Sequence, residues 1–97
     1  MWGVYILVSL SMGHLYTGVA IDPERRLKAH NAGKGAKRTR AGAPWEMVYW
    51  EPCESKSAAL KWEYAIKQLT RQDKLDLIRH HREPLPGRTP PARHLAR

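Results

Sequence analysis

Apolar and polar positions divide this chain into six elements. Gly3 to Val8 is an unbroken run of β-formers, which predicts a strand covered on both faces. Ser9-Leu10-Ser11-Met12-Gly13 reads as a turn and His14 to Ala20 as a second strand, so the two make a hairpin. Asp22 suits an N-cap and Pro23 a first helical residue; the helix they open runs to about Ala32 and ends near Gly33. From Trp45 to Glu51, the residues Trp45, Met47 and Tyr49 alternate with Glu46, Val48 and Trp50, which predicts a third strand closed by Pro52. Ser55 or Ser57 caps a second helix reaching about Leu69, with Ala59, Trp62, Ile66 and Leu69 as its apolar stripe. A third helix runs from Thr70 to about His81, with Leu75 and Ile78 inward. The order β-β-α-β-α-α predicts an α+β domain over residues 1–82, a small, mostly antiparallel three-stranded sheet flanked by helices. Pro84, Pro86, Pro90 and Pro91 among basic side chains mark 83–97 as a disordered basic tail.

Composition narrows the class. A chain of 97 residues allows one domain with a modest core. It has no Phe, so four Trp and four Tyr supply the large core side chains, and each brings a polar atom that needs a partner. The formal net charge of +8 points to a polyanion. Nucleic acid fits better than a membrane, because no apolar run approaches the roughly 20 residues of a spanning helix. One cysteine, Cys53, excludes an internal disulfide framework and a cysteine-based zinc site. Nothing at the start of the chain reads as a signal peptide, and a cytoplasmic location is the simplest expectation.

Four groups of residues carry candidate chemistry. Tyr5 and Tyr16 lie on the two strands of the hairpin, and their hydroxyls approach one point if they share a face. Gly3 and Gly18 leave room beside them for another backbone or a ligand. Two tyrosines in a core without Phe fit plain packing as readily. Arg26 and His30 are one turn apart on the first helix, a spacing that suits a phosphate and also an ordinary basic helix face. Glu63 lies about 40° from Ala59 on its helix, toward the core side. A carboxylate there needs a cation, either a metal or a basic side chain such as Lys67 one turn on. The segment Gly33 to Arg40 holds Lys34, Lys37, Arg38 and Arg40 without the spacing of a nucleotide-binding loop, and reads as a contact to a nucleic-acid backbone.

Taken in order, these residues resemble the GIY-YIG nuclease superfamily. Gly3-Val4-Tyr5 is similar to its first motif and Tyr16-Thr17-Gly18 to its second, with Val4 and Thr17 in place of the eponymous isoleucines. Arg26, eight residues after Gly18, matches the family's catalytic arginine, and Glu63 its metal-binding glutamate. The strings Arg26-Leu27-Lys28-Ala29-His30-Asn31 and Pro44-Trp45-Glu46-Met47-Val48 continue the match. The resemblance is strongest to small stand-alone bacterial members of the YhbQ type, extends to the nuclease domain of the Slx branched-DNA endonuclease subunit, and covers roughly residues 2–80. It implies endonucleolytic hydrolysis of a phosphodiester with one Mg²⁺ or Mn²⁺ ion on Glu63, leaving a 5′-phosphate. Arg26 then stabilises the transition state, Tyr5 or Tyr16 positions the attacking water, and His30 assists.

The expected function is therefore a metal-dependent endonuclease on single-stranded or branched DNA, in repair, recombination or processing, with RNA as a further substrate class. A non-catalytic nucleic-acid-binding module, or a nuclease subunit that needs a partner protein, explains the basic loop equally well. A basic domain docking on an acidic protein surface is the blandest reading.

Overall fold

The first apolar run becomes the central strand of the sheet. In the computed structural model, which describes residues 1–35, 37–81 and 85 and only the backbone of Arg38, β1 (Gly3–Ser9) lies between β2 (Leu15–Ala20) and β3 (Trp45–Pro52). Both neighbours are antiparallel to it. With α1 (Pro23–Asn31), α2 (Lys56–Lys67) and α3 (Arg71–Arg79), the order is β-β-α-β-α-α, the α+β architecture expected. A single 3₁₀ turn, Lys37–Thr39, breaks the connection from α1 to β3. Apart from Leu85, the expected tail over 83–97 lies outside the described residues.

Helix boundaries follow their caps. The Asp22 carboxylate accepts from the Arg25 amide at 3.1 Å, the Ser55 hydroxyl from the Ala58 amide at 3.0 Å and the Thr70 hydroxyl from the Asp73 amide at 3.1 Å. Each such cap stabilises its helix by about 1 kcal/mol. The chain leaves α1 through Gly33 at φ +76°, a left-handed conformation that glycine adopts without a Cβ penalty.

Because β1 is central, both its faces are covered. Val4 and Ile6 join Tyr49, Ala59 and Ile66 in one core, against which Trp62, Leu77 and Ile78 pack from α2 and α3. Tyr5 and Leu7 join Ala20, Trp45 and Met47 in a second core on the opposite face, with Leu27 of α1 against it. The stripe Ala59, Trp62, Ile66 is as the periodicity predicts.

Two expectations fail for physical reasons. The alternation in β3 placed Trp45, Met47 and Tyr49 on one face. All three are buried, but β1 pairs Ile6 with Tyr49 and Leu7 with Met47, leaving Val48 as the extra residue of a β-bulge. The bulge turns Tyr49 to the α2 side while Met47 and Trp45 stay on the α1 side. In α3, Leu75 is exposed rather than inward. The inward row is the partly buried Leu77 and Ile78, continued by His81, whose ring centroid lies 4.8 Å from that of Tyr49.

One side chain ties the end of α1 to the start of β3. The Asn31 amide nitrogen donates to the Trp45 carbonyl at 3.1 Å, and its oxygen accepts from the Trp45 amide at 2.6 Å. Asn31 thus substitutes for a neighbouring strand at one position. Asn31→Ala leaves both Trp45 backbone groups without these partners and is expected to lower stability by about 1–3 kcal/mol. Urea unfolding of the two proteins measures this; equal midpoints and slopes would show that the bracket contributes nothing.

Candidate active site

Strand register places the tyrosines. Tyr5 is paired with Gly18 and Leu7 with Tyr16, so Tyr5 and Tyr16 sit diagonally on the α1 face of the hairpin. Their ring centroids are 6.3 Å apart. Gly18 has no side chain because there is no space for one: a Cβ there would lie 2.5 Å from the Tyr5 hydroxyl. Gly3 is filled in the same way by the ring of Trp50, at 2.5 Å from such a Cβ. The room that sequence assigned to a ligand is thus taken by the protein's own aromatic rings.

His30 closes the site from α1. It is fully buried, and its Nε2 lies 2.9 Å from the Tyr5 hydroxyl while its Nδ1 lies 2.8 Å from the Thr39 hydroxyl. The Tyr16 ring meets its edge at a centroid distance of 5.2 Å. A Cβ on Gly35 would come within 2.2 Å of Nδ1, so this glycine too is fixed by the imidazole. The Thr39 carbonyl accepts from the Trp45 indole N–H at 2.7 Å. The Arg26 guanidinium, one turn before His30 on α1, lies close enough for its charge to act on the Tyr5 hydroxyl. The Tyr5 hydroxyl, the imidazole and the Thr39 hydroxyl form one hydrogen-bonded chain, whose direction follows the tautomer of His30.

Electrostatics follow from burial. Burial pushes the Tyr5 phenol up to about 12; the Arg26 guanidinium opposes the rise, and Tyr16 and the Glu63 carboxylate add to it. His30 is held below its ordinary value of 6.5, chiefly by burial and then by the positive charge of Arg26. With its value lowered by burial, the imidazole is neutral at pH 7, and its two nitrogens act as one donor and one acceptor toward the hydroxyls.

Arg26 and His30 therefore do not face a ligand together. Arg26 is exposed and His30 sealed. Glu63 is half-buried at the edge of the α2 stripe, close enough for its charge to act on Tyr5. It also pairs with Lys67, Oε2 to Nζ 3.3 Å, so the cation its burial demands is supplied within the chain. Lys34, Lys37 and Arg40 are exposed on the loop that Gly35 and Thr39 anchor to His30. The Arg38 side chain lies outside the described residues. Sequence reasoning missed Thr39, Gly35 and Trp45; the only trace was the match of Trp45 within a longer string. A wider depression of about 810 Å³, lined by Lys56, Leu60, Lys61 and Tyr64 on the outer face of α2, contains none of the convergent residues.

Comparison with known proteins finds relatives over most of the chain. Residues 1–76 match the model of the GIY-YIG catalytic domain. A UPF0213 protein of Staphylococcus aureus is 54% identical over 76 residues, spanning 78% of this chain and 92% of the relative. Among solved structures, the UPF0213 protein of Bacillus halodurans is 38% identical with a TM-score of 0.50, covering 80% of this chain and 83% of that one. A protein from E. faecalis is 38% identical with a TM-score of 0.55, covering 86% and 93%.

The buried imidazole makes stability depend on pH. In the unfolded chain His30 has its ordinary value near 6.5, and in the fold a lower one. As pH falls below about 6.5 the unfolded chain takes up the proton first. The contribution is whole above that pH and is lost as pH drops toward the folded value. Urea unfolding across this range is expected to show a steeper loss in wild type than in His30→Gln, and an NMR titration of the His30 ring to give a midpoint below 6.5. A ring that titrates at or above 6.5 would contradict the assignment.

Proposed function

This chain belongs to the GIY-YIG nuclease family, and from that membership we propose that it is a metal-dependent endonuclease that hydrolyses DNA phosphodiesters in single-stranded or branched DNA. The observation that carries the reading is the convergence of Tyr5, Tyr16, Arg26 and His30, with the charge of Glu63 acting on the same phenol. The net charge of +8 and the exposed Lys34, Lys37 and Arg40 beside the site suit a polyanionic strand. A role in DNA repair, recombination or processing accords with that substrate class.

Exposure divides the work. Arg26 is exposed and donates to the charge that develops on the phosphate oxygens as the nucleophile adds. Tyr16 is half-exposed and its hydroxyl orients the attacking water. Tyr5 is only 1% exposed, and at a pKa of about 12 it stays protonated at neutral pH, which disfavours it as the general base. Tyr5 and His30 are positioning residues: they hold Arg26 and the Tyr16 ring at one point. Among the described residues no three His, Cys, Asp or Glu side chains gather into a metal cage. The half-buried Glu63 carboxylate, with one basic partner to displace, fits an ion that takes few protein ligands and keeps water, as Mg²⁺ or Mn²⁺ does. Such an ion would polarise the phosphate and stabilise the leaving oxygen.

A second reading rests on the Glu63–Lys67 pair. With the carboxylate held by Lys67, the domain binds nucleic acid without cutting it, or cuts only when a partner protein opens that pair. The pure protein with single-stranded, duplex and branched DNA and Mg²⁺ or Mn²⁺ separates the two. Cleavage is expected, abolished by chelator, and lowered by at least about 10²-fold in Glu63→Ala and in Arg26→Ala. Binding without cleavage supports the second reading, and normal cutting by Glu63→Ala removes the metal site from that residue.

A further inference from the structure

A second basic cluster lies outside the convergent residues. Between the hairpin turn and the start of α3 is an open cavity of about 500 Å³ lined by His14, Leu15, Tyr16, Trp45, Arg71 and Lys74. It is the polar counterpart of the depression on α2, and it shares Tyr16 with the candidate active site. Arg71 and Lys74 stand one turn apart on α3. One Arg71 nitrogen donates to the Gly13 carbonyl at 3.0 Å, which fixes the guanidinium at the rim and leaves its other donors for a ligand. Among the described residues no carboxylate forms an ion pair with Arg71 or Lys74: Asp76, the acidic residue of α3 that is engaged, bonds Arg79 and Gln72 instead. An anchored guanidinium, an ammonium one turn away and an imidazole beside an aromatic wall match a phosphodiester, which needs convergent donors and tolerates apolar contact at its sugar.

We propose that this cavity binds a backbone phosphate of the nucleic-acid strand next to the one presented to Arg26 and Tyr16, with Arg71 and Lys74 as its donors. The inference rests on the nucleic-acid reading above. It adds a site to that reading, because neither cation belongs to the 34–40 loop or to the convergent set. Tyr16 then has a wall in both sites, so a strand held at the cavity is delivered against the hydroxyl that orients water. This cluster left no trace in the residue pattern, because His14 and Arg71 are far apart in the chain and are brought together by the fold, where Arg71 bonds the Gly13 carbonyl.

The test is binding without chemistry. Anisotropy of a labelled single-stranded oligonucleotide is measured in EDTA over a series of salt concentrations. The proteins are wild type, the double variant Arg71→Ala/Lys74→Ala, and Lys61→Ala on the outer face of α2 as a control. The double variant is expected to bind about tenfold more weakly at low salt, with its log–log salt slope shallower by about 0.7 to 1, the value of one lost phosphate contact. Lys61→Ala keeps the wild-type slope. A merely structural role for Arg71 lowers the unfolding midpoint and leaves the slope unchanged; Lys74→Ala alone, which breaks no hydrogen bond of the fold, checks the slope free of that effect. An unchanged slope in both variants overturns the cavity and leaves the nuclease reading intact. Failure of wild type to bind any nucleic acid overturns both.

Discussion

The hydrogen bonds on His30 are the constraint from which the site follows. An imidazole with no solvent exposure must have both nitrogens satisfied inside the protein. Nε2 finds the Tyr5 hydroxyl on the central strand, and Nδ1 finds Thr39 in the turn before β3. Because the two partners come from distant parts of the chain, α1 can dock in only one rotation and height. That docking places Arg26, one turn earlier on α1, against Tyr5. The glycines follow from the same ring pair: any side chain at Gly18 would strike Tyr5, and any at Gly35 would strike His30. Trp45 then seals the arrangement by donating to the Thr39 carbonyl, while Asn31 holds the Trp45 backbone. His30 is thus a buried group that fixes the geometry around it.

Local rules made most of the frame legible. The caps Asp22, Ser55 and Thr70 act through their own side chains on amides three residues on, so nothing distant can override them. The run Gly3 to Val8 had no polar face, and a strand buried on both sides is the only way to use it. The same holds for the ordered set Tyr5, Tyr16, Arg26 and Glu63, whose spacing is fixed by elements read correctly. What stayed hidden depends on long-range pairing. The bulge at Val48 arises from the register of β3 on β1, and period-two alternation carries no trace of it. Thr39 reads as one more residue of a basic loop until the fold puts it against an imidazole. Glu63 illustrates the limit in another way. Its wheel position demanded a cation, and a metal and Lys67 met that demand equally; the fold brings Lys67 to 3.3 Å, and a metal on Glu63 stays part of the proposed function.

A core without Phe has a further consequence. Tyr5, Trp45, Tyr49 and Trp62 each bring a polar atom into the interior, and each is bonded to a neighbour. On the α1 face these are the Tyr5 and Trp45 bonds. On the α2 face the Trp62 indole N–H donates to the Tyr49 hydroxyl at 3.0 Å, and Tyr49 donates to the Glu51 carboxylate at 3.4 Å. The two faces of one sheet thus carry two polar networks of similar construction. These networks constrain the packing of a small domain more tightly than Phe and Leu would, because a misplaced ring leaves an unpaired donor as well as a cavity.

The comparison of Tyr5 with Tyr49 shows what distinguishes a site from a well-satisfied core. Both phenols are buried, both are bonded to another ring, and burial pushes both up to about 12. The shift therefore does not identify the functional one. The difference lies in what surrounds each hydroxyl. Tyr49 meets an indole and a carboxylate, so it faces a donor and a negative charge that repels phosphate. Tyr5 meets an exposed arginine, and beside it stands a second, half-exposed tyrosine. Only the second setting combines positive charge with a half-exposed tyrosine, the combination that the proposed function requires at an anionic backbone. Burial produced the same phenol twice, and the arginine on α1 makes one of them part of a site.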